Sequence, residues 1–552
     1  MNHQDAIIEQ SAFQEAQLVI KLQEWLINIS PASLPQIAHD LLLSVFVQDQ
    51  DRIFQLLWNI INSVSIRPKN IQLYVNLIVE LDSHSNEIST LSLIRPLIVR
   101  MLLTPKPFIE QFLSNVGDFL FLRRLIKALN MTTTDVVAQL RHFCEMHEDL
   151  KYYHCLIFAI FAPEIQIADT QLFSTLRNLF YEEWAAPSCK PVLKDFFDNI
   201  TNLNRNNWRL LQECYLSGGY PESINVAIKT DNINLFQELS NSPNFSLDHH
   251  IRPSVFESCH FVQSEPSLIQ YAAFYGSLRI FKFLLLNGSD LNQEDANGST
   301  LAQFVVAGGN VEMVRICQQR KCDFSGCLQI ATRFYRFDIF DWLHFAYLND
   351  LTEVHPKFGN VFHESAASNN VRQIIYCIDN TLDVDSRSSD KSTPLHYAVK
   401  NRAADSIRLL LSINSLDVNA KDSTGMTPLH TAALFEESRM VVELLNCNRI
   451  DVNSVNRWGM TPLHIAAQDG NTQTVSELIK RPEIDVNCKD ENFMTPLHYA
   501  AQEGEFETVR ILLTAKDIDI NCEDAQGLIP FSYAEASGME EITQLLQDWV
   551  NT

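Results

Sequence analysis

The chain has 552 residues, 46% hydrophobic and 20% charged, the make-up of an ordinary folded protein, and its length allows several domains or one long repeat array. Only 16 residues are glycine, against a usual ~7%, so phosphate-cradling glycine loops have little material. The 67 acidic and 42 basic residues give a net charge of −25, a field that repels nucleic-acid backbones and anionic lipid headgroups. Twelve scattered cysteines do not form the dense framework of a small secreted domain, and the polar start Met1-Asn2-His3-Gln4 is unlike a signal peptide. Apolar stretches such as Cys155 to Ala162 fall well short of the ~20 residues a spanning helix needs. These features predict a cytoplasmic protein with neither nucleic acid nor membrane insertion among its partners.

Residues 1–220 read as an α-helical N-terminal domain. Phe13, Leu18, Leu22, Trp25 and Leu26, then Leu41, Leu42, Val45 and Phe46, then Ile53, Leu56, Leu57, Ile60 and Ile61 follow helical spacing. Breakers separate them at Ser30-Pro31, Arg67-Pro68, Pro105 to Pro107 and Ala186-Pro187. Ser33-Leu34-Pro35 followed by Leu41, Leu42, Val45 and Phe46 resembles an F-box, but a helix start followed by a core face accounts for the same residues. His142, Cys144, His147, His154 and Cys155 are all capable of holding zinc, yet the adjacent pair His154-Cys155 points in different directions on a helix, so a mixture of core and surface side chains is expected rather than a tetrahedral site.

A repeat follows, as a degenerate segment from 221 to 350 and an array from 351 to 552, weak from 222 to 392 and strong from 393 to 552. The weak copies start at Ile224-Asn225-Val226-Ala227, at Ser267 before Leu268 to Ala273, at Thr300 and at Gly326, and Asn360-Val361-Phe362-His363 leads into the strong ones. Thr393-Pro394-Leu395-His396 then recurs at Thr427, Thr461 and Thr495, and as Ile529-Pro530-Phe531-Ser532, always 34 residues on. Asp383-Val384-Asp385, Asp417-Val418-Asn419, Asp451-Val452-Asn453, Asp485-Val486-Asn487 and Asp519-Ile520-Asn521 keep the same step. Each threonine can cap a helix whose first position is proline, where a missing N–H costs nothing. Leu429, Ala432 and Ala433 then leave room for a second helix carrying Val441, Leu444 and Leu445. Such a hairpin cannot bury its apolar face alone, so neighbours stack into a solenoid.

These motifs resemble the ankyrin repeat family. The resemblance implies an all-α ankyrin-repeat solenoid with projecting β-turn fingers, preceded here by the α-helical N-terminal domain. The run from 267 to 350 also resembles the uncharacterised ankyrin-associated domain of large protist ankyrin families. Lys391 and Phe493 stand where the finger glycine is expected, as at Gly425, Gly459 and Gly527, which implies two altered finger tips. The recurring histidines His396, His430, His464 and His498 are implied to hydrogen-bond finger backbone between repeats rather than to form a metal or proton ladder.

No nucleotide-loop, zinc-protease or hydrolase signature occurs, so no enzymatic activity and no cofactor are expected. His355-Pro356-Lys357-Phe358-Gly359-Asn360 resembles the His-Pro-Phe loop of AMP-transferring enzymes, but its glycine comes one residue early and Asn360 already fills a helix-start position. Cys317, Cys322 and Cys327 fall on separate repeat elements without a fourth partner and read as small apolar fillers. The reading is therefore a non-enzymatic intracellular scaffold or adaptor that binds a protein partner. The alternative is a substrate-recognition subunit of an enzyme such as a ubiquitin ligase, with the N-terminal domain as its docking or catalytic part. In the family pattern the residues facing a partner are Ser423, Thr424, Met426, Leu434 and Phe435; Arg457, Trp458, Met460, Gln468 and Asp469; and Glu491, Asn492, Met494, Gln502 and Glu503. Trp458 beside Arg457 is the strongest pointer, since these types dominate interface hot spots. From Met494 to Thr552 eleven acids face only Arg510 and Lys516, which suits a basic partner.

Overall fold

The structure is a computed structural model describing residues 8, 10–104, 114–147, 150–184, 191–243, 245–347, 350–435 and 438–550. The breakers at Pro105 to Pro107 and Ala186-Pro187 lie outside the described residues. Among those residues the fold is all-α, with isolated bridges only, pairing Ile8 with Ile413, His250 with Ser267 and His355 with Gly359. Two compact units emerge, one of residues 21–339 and one of residues 1–20 with 340–552. Their borders are not those at 220 and 350 drawn from the sequence. Helical hairpins of the weak repeats share a unit with the N-terminal helices, while Ile8 bridges Ile413 and Glu15 acts electrostatically on Arg408.

In the unit 21–339 the helix Lys151–Ala168 is apolar on every side, with each residue from Tyr153 to Pro163 buried, the signature of a helix surrounded by others. Pro163 inside it cannot donate to the carbonyl of Ala159. That carbonyl instead accepts the Tyr215 hydroxyl at 2.6 Å, and the Tyr215 ring lies 4.2 Å under the guanidinium of Arg123. Cys144, His154 and Cys155 are all buried in this core.

The insertion between the first two weak repeats is part of the same core, because Val255 and Phe256 are buried within it. Phe256 meets Tyr215 and Tyr220 edge-on at 5.4 and 5.5 Å. The approach is so close that a Cβ on Gly117 would stand 2.4 Å from the Ser258 carbonyl oxygen. Next to it the buried Glu257 carboxylate accepts from Lys229 Nζ at 2.9 Å and from the hydroxyls of Tyr271 and Tyr275 at 2.8 and 2.5 Å. A buried charge thus has its partners.

Among the described residues, ten helical hairpins run from Ile224–Lys229 with Ile233–Ser240 to Pro530–Ala536 with Glu540–Val550. Ser223, Ser267, Thr300, Gly326 and Asn360 occupy the N-cap positions ahead of the first helices, as do Thr393, Thr427, Thr461 and Thr495 ahead of the later ones. In the later hairpins Leu429, Leu463 and Leu497 and the paired alanines 432–433, 466–467 and 500–501 are buried, so second helices such as Arg439–Leu445 can pack against a smooth face.

Candidate functional site

Four fingers of the unit 340–552 are each closed by one acidic or amide side chain. Asp422 Oδ1 accepts from the backbone N–H of Thr424 and Met426 at 2.7 and 2.9 Å. Asn456 does so for Trp458 and Met460, Asp490 for Asn492 and Met494, and Asp524 for Gln526 and Leu528. Side-chain oxygens of this kind close turns by mimicking backbone. These four residues were not singled out in the sequence, although their 34-residue step was visible. Adjacent fingers are tied by single backbone bonds, Arg457 N–H to Thr424 O and Glu491 N–H to Trp458 O, both 3.1 Å. At the finger base, the side-chain Oδ1 atoms of Asn419, Asn453 and Asn487 accept from the backbone N–H of Asp451, Asp485 and Asp519, and their Nδ2 groups donate to the backbone carbonyls of Arg449, Glu483 and Asp517.

The histidines do what the resemblance implies. Nδ1 accepts the N–H of the capping residue at 3.0–3.2 Å, which fixes the proton on Nε2. Nε2–H of His363, His396, His430, His464 and His498 then donates to the carbonyls of Ser392, Met426, Met460, Met494 and Leu528 in the next finger. Burial pushes all five imidazoles down, His363 and His430 to about 4. They are neutral struts, unsuited to proton transfer near neutral pH.

The residues read as partner-facing divide into three groups. Arg457, Trp458, Asp469, Glu491, Asn492, Gln502 and Glu503 are exposed, with Trp458 at 52%. Ser423, Thr424, Met426, Leu434, Met460 and Gln468 are half-buried, and Met426 and Met460 give their carbonyls to the histidines. Phe435 and Met494 are a correction. Phe435 is 2% exposed and its ring lies 5.2 Å from the Arg402 guanidinium, so it packs rather than presents a surface. Met494 is 7% exposed, and its backbone carbonyl accepts from His464 Nε2 at 3.1 Å.

Phe493 is the surface residue that the family pattern missed. It takes the place of a finger glycine, with φ 61°, and is 55% exposed with Lys489 Nζ 5.8 Å from its ring. Trp458 and Phe493 thus put two aromatic side chains on consecutive finger tips, with Glu491 on the same finger as Phe493. Partial shielding and the neighbouring Glu503 charge raise the Asp469 carboxyl above the usual range.

Among the described residues no group of three or more His, Cys, Asp or Glu side chains is arranged to hold a metal ion, and no helix is long and apolar enough to cross a membrane. A family model for ankyrin repeats in three copies matches residues 362–456 and 429–524, and one for ankyrin repeats in many copies matches 269–316. No curated protein matches the chain.

Proposed function

The chain is a member of the ankyrin repeat family, whose repeats serve protein–protein interaction, and on that footing we propose that it is a non-enzymatic cytoplasmic scaffold or adaptor gripping a protein segment between its finger tips and groove. The observation that carries this is the pair Trp458 and Phe493, each more than half exposed on neighbouring fingers whose backbones are locked by Asn456 and Asp490. Rigidly held aromatics anchor interfaces because little conformational freedom is lost when they are covered. Arg457, Gln468, Asp469, Gln502 and Glu503 supply the polar part of the proposed surface. The segment that fits is basic with at least one apolar side chain, since the acids at 469, 491 and 503 and the surplus of acids from Met494 onward favour such a partner.

The test is affinity capture followed by direct binding of the partner recovered. Trp458→Ala combined with Phe493→Ala should weaken binding at least tenfold, about 1.4 kcal/mol or more, with circular dichroism unchanged. Asp469→Asn combined with Glu503→Gln should slow association chiefly at low salt. Binding that survives both double variants would move the interface off the fingers and groove.

A further inference from the structure

Cys317 and Cys322 share one structural motif, contrary to their reading as independent fillers on separate elements. Cys317 lies in the last turn of the helix Val311–Gln319, and Lys321 beyond it is left-handed at φ 58°. The N–H of Lys321 donates to Gln318 O and the N–H of Cys322 to Cys317 O, each at 3.0 Å. This pair of bonds is the Schellman helix end, which brings the side chains of the residues in the two cysteine positions into contact. At the same helix end two repeats on, the pair is Cys377 and Leu382, joined by the same bond at 3.1 Å. Here both members are thiols, set side by side by that pair of backbone bonds.

The surroundings distinguish the two thiols. Cys317 is 1% exposed, whereas Cys322 is partly open to solvent; Leu382 in the corresponding place is only 8% exposed. No finger follows this hairpin. The chain runs directly from Cys322 through Gly326 into the helix Cys327–Arg333, and Gln303 Nε2 fixes that short link by donating to Ser325 O at 2.9 Å. The neighbouring Cys317 thiol, with help from the Arg320 charge, lowers the Cys322 thiol below the usual range, while pairing and burial raise Cys317. Cys327 is fully buried and its thiol is held well above the usual range.

We infer that Cys317 and Cys322 form a redox-active dithiol and that Cys322 is a modification site for hydroperoxides. The Cys322 thiolate attacks one peroxide oxygen and breaks the O–O bond, giving a sulfenic acid; for hydrogen peroxide the departing hydroxide takes up a proton as water. The Cys317 sulfur then attacks the Cys322 sulfur, an S–S bond forms, and the sulfenic oxygen leaves with the Cys317 proton as a second water. Two electrons pass from the two thiols to one peroxide. A thiol reductant reverses the change by exchange.

The full chain treated with hydrogen peroxide, alkylated and digested with trypsin tests this, because Arg320 and Lys321 lie between the two cysteines. Cleavage there separates the peptides carrying Cys317 and Cys322 unless a disulfide joins them. The joined pair should appear in the wild type and in Cys327→Ala, vanish after a thiol reductant, and be absent from Cys322→Ser, whose partly exposed position keeps the fold. Without peroxide, iodoacetamide near pH 7 should label Cys322 about fivefold or more faster than Cys488 or Cys522, the gain in thiolate outweighing the lower nucleophilicity of a more acidic thiol. A link from Cys322 to Cys327, no link at any peroxide dose, or labelling of Cys322 no faster than of Cys488 and Cys522 would overturn the assignment.

Discussion

Acidification should loosen the unit 340–552 through its histidine struts, and the size of the effect follows from their geometry. Each imidazole must stay neutral to accept at Nδ1 while donating from Nε2. His363 and His430 protonate at about 4 in the folded chain, against ~6.5 in the unfolded chain. Below ~6.5 the unfolded state therefore binds the extra proton first. The stability each histidine contributes is complete above that value and declines as pH falls towards 4. At about pH 5 the unfolded side chain is almost fully charged and the folded one almost fully neutral, a loss of about 2 kcal/mol per residue, hence roughly 4 kcal/mol for the two. His396, His464 and His498 act in the same direction. The raised carboxyls of Asp385 and Asp469 act in the opposite direction, and the lowered ones of Asp390 and Asp524 titrate below this window. Urea unfolding at about pH 7.5, 6 and 5, with hydrogen exchange at Leu429 and Leu463 reporting this unit, measures the loss. His430→Gln removes one of the buried imidazoles and should flatten the pH dependence by close to one proton, about 1.4 kcal/mol per pH unit at its steepest. Stability unchanged between pH 7.5 and 5, or an unaltered slope in His430→Gln, would refute neutral struts.

Phe493→Gly should stabilise the chain by about 0.5–1 kcal/mol, because a left-handed backbone strains every residue with a Cβ, while weakening partner binding; thermal unfolding and the binding assay read the two effects separately. Gly117→Ala should cost about 2 kcal/mol or more, since its methyl group would meet the Ser258 carbonyl oxygen at 2.4 Å, and chemical denaturation measures it. Among the hairpins, Ile224–Lys229 with Ile233–Ser240 buries only Ala227, Ile228 and Phe236, so hydrogen exchange should show it opening before Leu268–Phe274, in which every residue is buried.

Helix starts were legible in the sequence because capping chemistry is local. Ser267, Thr300, Gly326 and Asn360 could be placed in phase with the Thr-Pro-Leu-His copies even where the copies had decayed, and each is an N-cap. Burial across repeats was not legible. Phe435 lies in a position that varies freely in the family pattern, yet Arg402, from the repeat before it, covers its ring. The partner of Pro163 is equally remote in sequence, since the carbonyl it orphans is satisfied by Tyr215, 56 residues on. Cys317 and Cys322 were separated by treating helix and turn as independent elements, although the left-handed turn at Lys321 is what joins them. The binding surface was half legible: the family pattern points to Trp458, but an aromatic in a glycine position is a departure from that pattern and reads first as a defect.

The histidine struts all point one way along the chain, each donating forward to the finger that comes after it, and Ser532 takes the corresponding place in Ile529-Pro530-Phe531-Ser532. The solenoid therefore has an arrow. Shortening it from the front leaves an unclaimed carbonyl, which has a second lone pair and readily takes water, whereas cutting between His464 and its acceptor Met494 strands a buried N–H donor. Shortened versions of this array should tolerate loss of leading hairpins better than loss of trailing ones, and a new trailing end should fold best with serine written in place of its final histidine.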